Sequence, residues 1–272
     1  MIVTAQPTDA LLRVENLEVV YHNVSTALQG LSFSVRSNQI VALLGTNGAG
    51  KSTTLRAISG FLGLDYARVT KGFIAFRGEE IQDKLPHQIT KKGIVLVPER
   101  EKIFENLTVE ENLQISVPAA GRRNSEEAYE MVFHYFDPLN KVRGRLAGYL
   151  SGGERQMLAL GTALLCKPQL LLVDELSLGL APVIVAELMA LVRRIRDQEG
   201  VAVLLVEQNA AAALEIADYA YIIESGRVVL AGDPVTLKDD PNIKEFYLGQ
   251  GQDSRKKYSD VKQYRRTRRW YG

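Results

Sequence analysis

Residues 40–52 leave this chain few folds to choose from. Ile40–Leu44 is an unbroken apolar run, the pattern of a strand covered on both faces. It leads into Gly45-Thr46-Asn47-Gly48-Ala49-Gly50-Lys51-Ser52, which matches G-x-x-x-x-G-K-[ST] at every fixed position, and a helical pattern follows. Glycines let the backbone wrap with its N–H groups turned inward on phosphate oxygens. The helix start adds the positive end of its dipole. Lys51 can reach the β- and γ-phosphates, and the Ser52 hydroxyl suits Mg²⁺. The expected nucleotide contacts are therefore Asn47, Gly48, Ala49, Gly50, Lys51, Ser52 and Thr53. Chance alone gives about one such match per hundred chains of this length, and the strand-to-helix setting lowers it further.

A phosphate loop needs a second hold on Mg²⁺ and a group that activates water. Leu170-Leu171-Leu172-Val173-Asp174-Glu175 offers both, because two acids close an apolar run at the strand end where ligands bind in open parallel sheets. Asp174 is expected to hold Mg²⁺ through water, and Glu175 to act as general base. An acidic helix cap after a strand is the plainer reading of the pair taken alone.

Other segments fill in an α/β chain. Leu12–Tyr21 and 31–35 alternate as strands, while 93–97, 170–173 and 201–206 read as buried ones. Apolar residues at helical spacing over 182–198 make a strand–helix–strand unit with the last two. The stretch 108–157 lacks a buried strand and reads as helices, with Thr108-x-x-Glu111 and Ser151-x-x-Glu154 as capping boxes. The glycines and hydroxyl of Leu150-Ser151-Gly152-Gly153-Glu154, at an unfilled helix start, also have the makings of a second anion site.

Composition adds exclusions. A hydrophobic fraction of 46% with 24% charged residues rules out a disordered chain. The single cysteine, Cys166, rules out an intrachain disulfide and reads as a core residue. Residues 1–9 lack a basic start and an apolar run, and no stretch nears the ~18 apolar residues of a membrane span. A soluble chain is expected, with any membrane role coming through partners. The net charge of +1 is a difference: eight basic and two acidic residues give 253–272 a charge of +6, leaving −5 for the rest. Tyr258, Tyr264, Trp270 and Tyr271 are interleaved with those basic residues. The mixture suits a solvated end, contact with anionic lipid or an acidic partner, or, less well, stacking on nucleic acid.

The phosphate loop, Leu150-Ser151-Gly152-Gly153-Glu154 followed by Arg155-Gln156-Met157, and the acidic strand, in that order, resemble the ATP-binding subunits of ABC transporters. The resemblance covers roughly 11–252. It implies a P-loop NTPase core with a mostly parallel sheet, an antiparallel β subdomain and an inserted helical subdomain over about 100–165, all within 1–252, before a basic tail at 253–272. It also implies pairing with a second ATP-binding subunit, a copy or a paralogue, so that Ser151 and Gly153 contact the partner's ATP. Tyr21 falls where the family stacks an aromatic on adenine, although an ordinary strand tyrosine would read the same way. Integral-membrane permease subunits and, indirectly, a solute-binding protein follow as partners, and the cytoplasmic face of the inner membrane as a peripheral location.

Several residues depart from the family's usual pattern. Glu99 stands at the glutamine position, where a carboxylate can still bind Mg²⁺ or its water. Gln208 stands at the switch-histidine position, where an amide can still donate to γ-phosphate but cannot titrate. In the loop 177–181, Ala181 replaces the usual aspartate, and Leu176 stands where proline is common. Pro98-Glu99, Leu178-Gly179-Leu180-Ala181-Pro182 and Val206-Glu207-Gln208-Asn209 together resemble the branched-chain amino-acid importers, in the ATP-binding subunit that lacks the switch histidine. Urea and amide importers share much of this pattern, and lipopolysaccharide-export ATPases usually keep the glutamine and the histidine. Two rival readings stay open: a soluble ABC ATPase without a transporter, and a regulatory subunit relying on a paralogue for turnover.

Overall fold

The computed structural model describes residues 9–99, 103–116, 125–240 and 243; the 249–252 stretch and the basic tail lie outside them. The chain opens with an antiparallel hairpin, β1 (Leu12–Tyr21) and β2 (Ser25–Val35). Next come β3 (Ile40–Leu44), the loop 45–50 and α1 (Lys51–Ser59). β4 (Ala67–Phe76) pairs with β1, and the short β5 (Glu79–Glu80) with β4, completing a four-stranded antiparallel sheet in the order β2-β1-β4-β5. After α2 (Pro86–Lys91) and β6 (Ile94–Val97) come α3 (Val109–Ser116), α4 (Ser125–Tyr135), α5 (Asp137–Asn140) and α6 (Gly152–Leu164). β7 (Leu170–Asp174), α7 (Pro182–Glu199), β8 (Ala202–Glu207), α8 (Ala210–Ile216), β9 (Tyr219–Glu224), β10 (Arg227–Gly232) and α9 (Pro234–Asp239) follow.

The second sheet has the order β10-β9-β3-β8-β7-β6. Its strands run parallel except β10, which pairs antiparallel with β9. The unbroken apolar runs follow from this layering. Side chains alternate across a strand, and here both faces are covered. Ile40, Ala42 and Leu44 enter a core shared with α3, α4, α6, α7 and α8, whereas Val41 and Leu43 enter a core shared with the antiparallel sheet and α1. Leu171 and Val173 likewise face the first core, Leu170 and Leu172 the second. Each fully buried Val, Leu or Ile among them contributes about 1.5–3 kcal/mol.

The expected strand–helix–strand unit is β7–α7–β8, with its strands parallel and adjacent. The segment 31–35 is only the inner half of β2, whose outer residues Ser25, Thr26, Gln29 and Gly30 are exposed and carry no apolar signal. Within 108–157 the described residues form helices, joined by an isolated bridge between Thr108 and Leu146. Both capping boxes are present. Glu111 N donates to Thr108 Oγ1 while Thr108 N donates to Glu111 Oε2, and Ser151 and Glu154 repeat the exchange at α6. Cys166 lies just past α6, half-buried, and burial raises its thiol pKa. No helix among the described residues is long and apolar enough to cross a membrane.

Candidate functional site

The carboxyl ends of β3, β8 and β7 lie side by side, with β8 in the middle. The loop 45–50 rises from β3 and passes into α1, whose cap residue Gly50 offers no side-chain cap. The first N–H groups of α1 therefore lack the usual oxygen partner, which is the condition for anion binding at a helix start. Gly50 sits at φ 105, and a Cβ there would lie 2.6 Å from Leu28 Cδ2 and 3.2 Å from Ala27 O.

The loop is backed by a turn that sequence reading did not single out. Gly226, between β9 and β10, donates its N–H to Ala49 O at 2.9 Å and accepts from Gln29 N at 3.0 Å. Its φ is 75, and a Cβ would fall 2.4 Å from Ala27 O. Gly226→Ala is therefore expected to cost about 2–3 kcal/mol of stability, through strain and a clash with backbone. Nucleotide affinity should fall with it because the support under Ala49 moves. Denaturant unfolding and nucleotide titration check this, and unchanged values in both would refute the buttress.

Lys51 is buried, and its ammonium donates to Gly45 O at 3.0 Å and Thr46 O at 3.2 Å. It also pairs with Glu175 Oε1 at 3.0 Å. Ser52 Oγ donates to Asp174 Oδ1 at 3.5 Å. Burial is the main force lifting the Asp174 carboxyl to about 6; Glu175 and Glu99 add to the rise, while Ser52 and Lys51 oppose it. Five of the sequence-predicted residues, Lys51, Ser52, Glu99, Asp174 and Glu175, thus act on one another in one place. A buried ammonium beside free helix N–H groups can neutralise phosphate, and the adjoining carboxylates can take up a proton or a hard cation. Tyr21, at the end of β1, reaches the same helix, its hydroxyl 3.3 Å from Thr53 Oγ1. Asn47 and Gly48 are exposed on the loop, Ala49 is buried beneath it, and Gln208 is exposed just past β8.

Ser151 and Gly153 are not drawn into this cluster. They start α6, where Gly152 packs on Leu180 and Gly153 on Ile184. The expected unfilled helix start is filled in part there. Ser151 Oγ already accepts from Glu154 N at 3.3 Å, and Glu154 Oε2 accepts from Ser151 N at 2.7 Å. The Ser151 hydroxyl hydrogen is still able to donate outward, because the cap uses only an oxygen lone pair. Arg155, quoted in the sequence only as part of a motif, holds the approach to this helix. It donates to Leu150 O at 3.1 Å and Gly148 O at 2.8 Å.

The ABC transporter family profile matches residues 28–177. The high-affinity branched-chain amino acid transport ATP-binding protein BraG of Pseudomonas aeruginosa is 41% identical over 229 residues, which are 84% of this chain and 96% of that protein. The lipopolysaccharide export system ATP-binding protein LptB of Haemophilus influenzae is 32% identical over 245 residues, 89% of this chain and 98% of that protein. Among solved structures, the ADP conformation of an ATP-binding cassette of an ABC transporter superposes with a TM-score of 0.75 at 28% identity, covering 89% of this chain and 100% of that one. Sheet order, phosphate loop and likeness across most of both chains agree: this chain belongs to the ABC transporter family, as an ATP-binding, ATP-hydrolysing subunit.

Proposed function

We propose that this subunit energises an importer of branched-chain amino acids from the cytoplasmic face of the inner membrane. The observation that carries the solute class is the likeness to BraG, joined to Glu99 and Gln208 at the glutamine and histidine positions. LptB is the more distant relative of the two.

ATP is read as lying on the loop 45–52, its adenine against Tyr21, with Asn47, Gly48, Ala49, Gly50 and Thr53 along the phosphates. Lys51 exchanges its contacts with Glu175 and the loop carbonyls for phosphate oxygens. Glu175 then takes the proton of the attacking water. Gln208 donates an amide hydrogen towards γ-phosphate.

The donor set fits Mg²⁺. Ser52 and Asp174 already share a hydrogen bond, and Glu99 lies near enough to raise the Asp174 pKa. Among the described residues no group of three or more His, Cys, Asp or Glu forms a cage. An ion there would be held by one or two protein oxygens plus phosphates and water. Bound there, Mg²⁺ would draw charge from the phosphate oxygens.

Ser151 and Gly153 serve the ATP of a second ATP-binding subunit, and permease subunits receive the motion through the segment around 99–113. The helical part is read as an insertion over about 100–165 of a domain spanning 1–252, and the tail 253–272 as a solvated end whose basic residues can meet anionic lipid or an acidic partner. The test is reconstitution with importer membrane subunits and a solute-binding protein from the same organism. Leucine, isoleucine or valine is expected to raise phosphate release several-fold. Stimulation by urea or amides instead would overturn the solute class.

A further inference from the structure

A carboxylate sits where the sheet has no room for a charge. Glu207 ends β8, between β3, which feeds the phosphate loop, and β7, which ends in Asp174. It is fully buried. Burial raises its carboxyl pKa, with Glu175 adding to the rise, while hydrogen bonds from Ser177 and Asn209 pull it down. Burying a carboxylate is costly even when it is hydrogen-bonded, and a well-packed apolar residue often serves stability as well or better. Stability alone therefore gives this carboxylate little reason to be there.

Its partners suggest another role. Ser177 Oγ donates to Glu207 Oε2 at 2.6 Å, and Ser177 N donates to Glu207 Oε1 at 2.9 Å. Each carboxylate oxygen thus takes a separate group of Ser177, in addition to the hydrogen bond from the Asn209 backbone, and Ser177 lies two positions past Glu175. Leu176 between them is fully buried. Glu175 itself has φ 47, a left-handed backbone that is strained for a non-glycine residue and persists only when its surroundings enforce it. Glu175 N also donates to Val206 O at 2.9 Å. The turn 175–177 is therefore pinned to the end of β8 twice, by backbone at Val206 and by side chain at Glu207.

We propose that Glu207 is a positioning residue for ATP hydrolysis. It fixes Ser177, so that the Glu175 carboxylate keeps its place beside Lys51 and the loop 177–181 keeps its course. The proposal rests on the reading of Glu175 as general base. Glu207 itself does not touch the nucleotide.

The test uses the full chain and measures kcat, KM for ATP and thermal midpoint. Glu207→Met removes both acceptor oxygens at similar volume, and Ser177→Ala removes the hydroxyl donor. Glu207→Gln keeps an acceptor for Ser177 N–H and offers its NH₂ to the hydroxyl oxygen. Glu207→Met is expected to lower kcat about ten- to a hundredfold, the scale of a misplaced catalytic group. KM should stay within about threefold, and Glu207→Gln should keep kcat within about threefold. Because the two residues act through shared bonds, adding Ser177→Ala to Glu207→Met should lower kcat little further. Wild-type kcat in Glu207→Met, a loss in Glu207→Gln as large as that in Glu207→Met, or losses that multiply in the double variant each overturn the proposal. If Glu207→Met does not fold, Ser177→Ala decides alone: a kcat loss at unchanged thermal midpoint and KM is expected, and wild-type kcat overturns the proposal. Failure of the underlying reading looks different, because Glu175→Gln would then keep wild-type turnover.

Discussion

With Glu175 replaced by glutamine, the chain is expected to bind ATP yet release phosphate at least about a hundred times more slowly, the usual scale of a lost general base. The substitution preserves shape, and its amide oxygen can still accept from Lys51, which Glu175 Oε1 meets at 3.0 Å. It removes the basic oxygen that would take the water's proton. It also leaves a buried ammonium without its carboxylate, which favours an anionic ligand in the loop 45–52. Nucleotide affinity should therefore hold or rise while turnover collapses. Equilibrium dialysis and phosphate release, measured on the same preparation, separate the two quantities. Wild-type turnover would sink the assignment of Glu175. Joint loss of binding and turnover would point to a damaged loop instead.

Lys51→Met is expected to fail in the opposite order. Affinity for ATP should drop about ten- to a hundredfold, and turnover about a hundred- to a thousandfold, as when a preorganised donor to developing charge is lost. The free protein should suffer too. Lys51 and Glu175 have side chains only 4% and 11% exposed, so removing the cation strands a buried carboxylate. That costs about 3 kcal/mol. Adding Glu175→Gln removes the stranded charge, so the double variant should regain most of the lost stability and none of the turnover. Equal unfolding free energies for the single and double variants would show that the pair is not coupled in the folded chain.

Much of this arrangement was legible because it is local. β3, β7 and β8 agree with the sequence reading to within a residue at each end, since strands covered on both faces read as unbroken apolar runs. The capping boxes were legible because both partners lie within one helical turn. The outer half of β2 was not, because Leu28 is its one fully buried residue and Ser25, Thr26, Gln29 and Gly30 around it face solvent, which leaves no apolar alternation to read. Gly226 gave no signal either; a Gly in a turn is common, and its importance lies in the approach of Ala27 and Ala49 from other elements.

Glu207 did leave a trace, an acid ending an apolar strand. The sequence could not say whether that acid pointed to solvent or inward to Ser177, 30 residues away along the chain. The sequence by itself determined the chemistry available: a wrapping loop with an ammonium and a hydroxyl, and two carboxylates at the end of a buried strand. Only the tertiary structure decided which of these groups meet. Ser52 and Asp174 are 122 residues apart in the chain, and they touch because β3 and β7 flank the same strand. Hydrophobic periodicity fixes which face of a strand is buried, but it carries no information about which strand lies alongside. Sheet order is settled by packing between two cores, and with it the contacts of Lys51 with Glu175 and of Ser177 with Glu207.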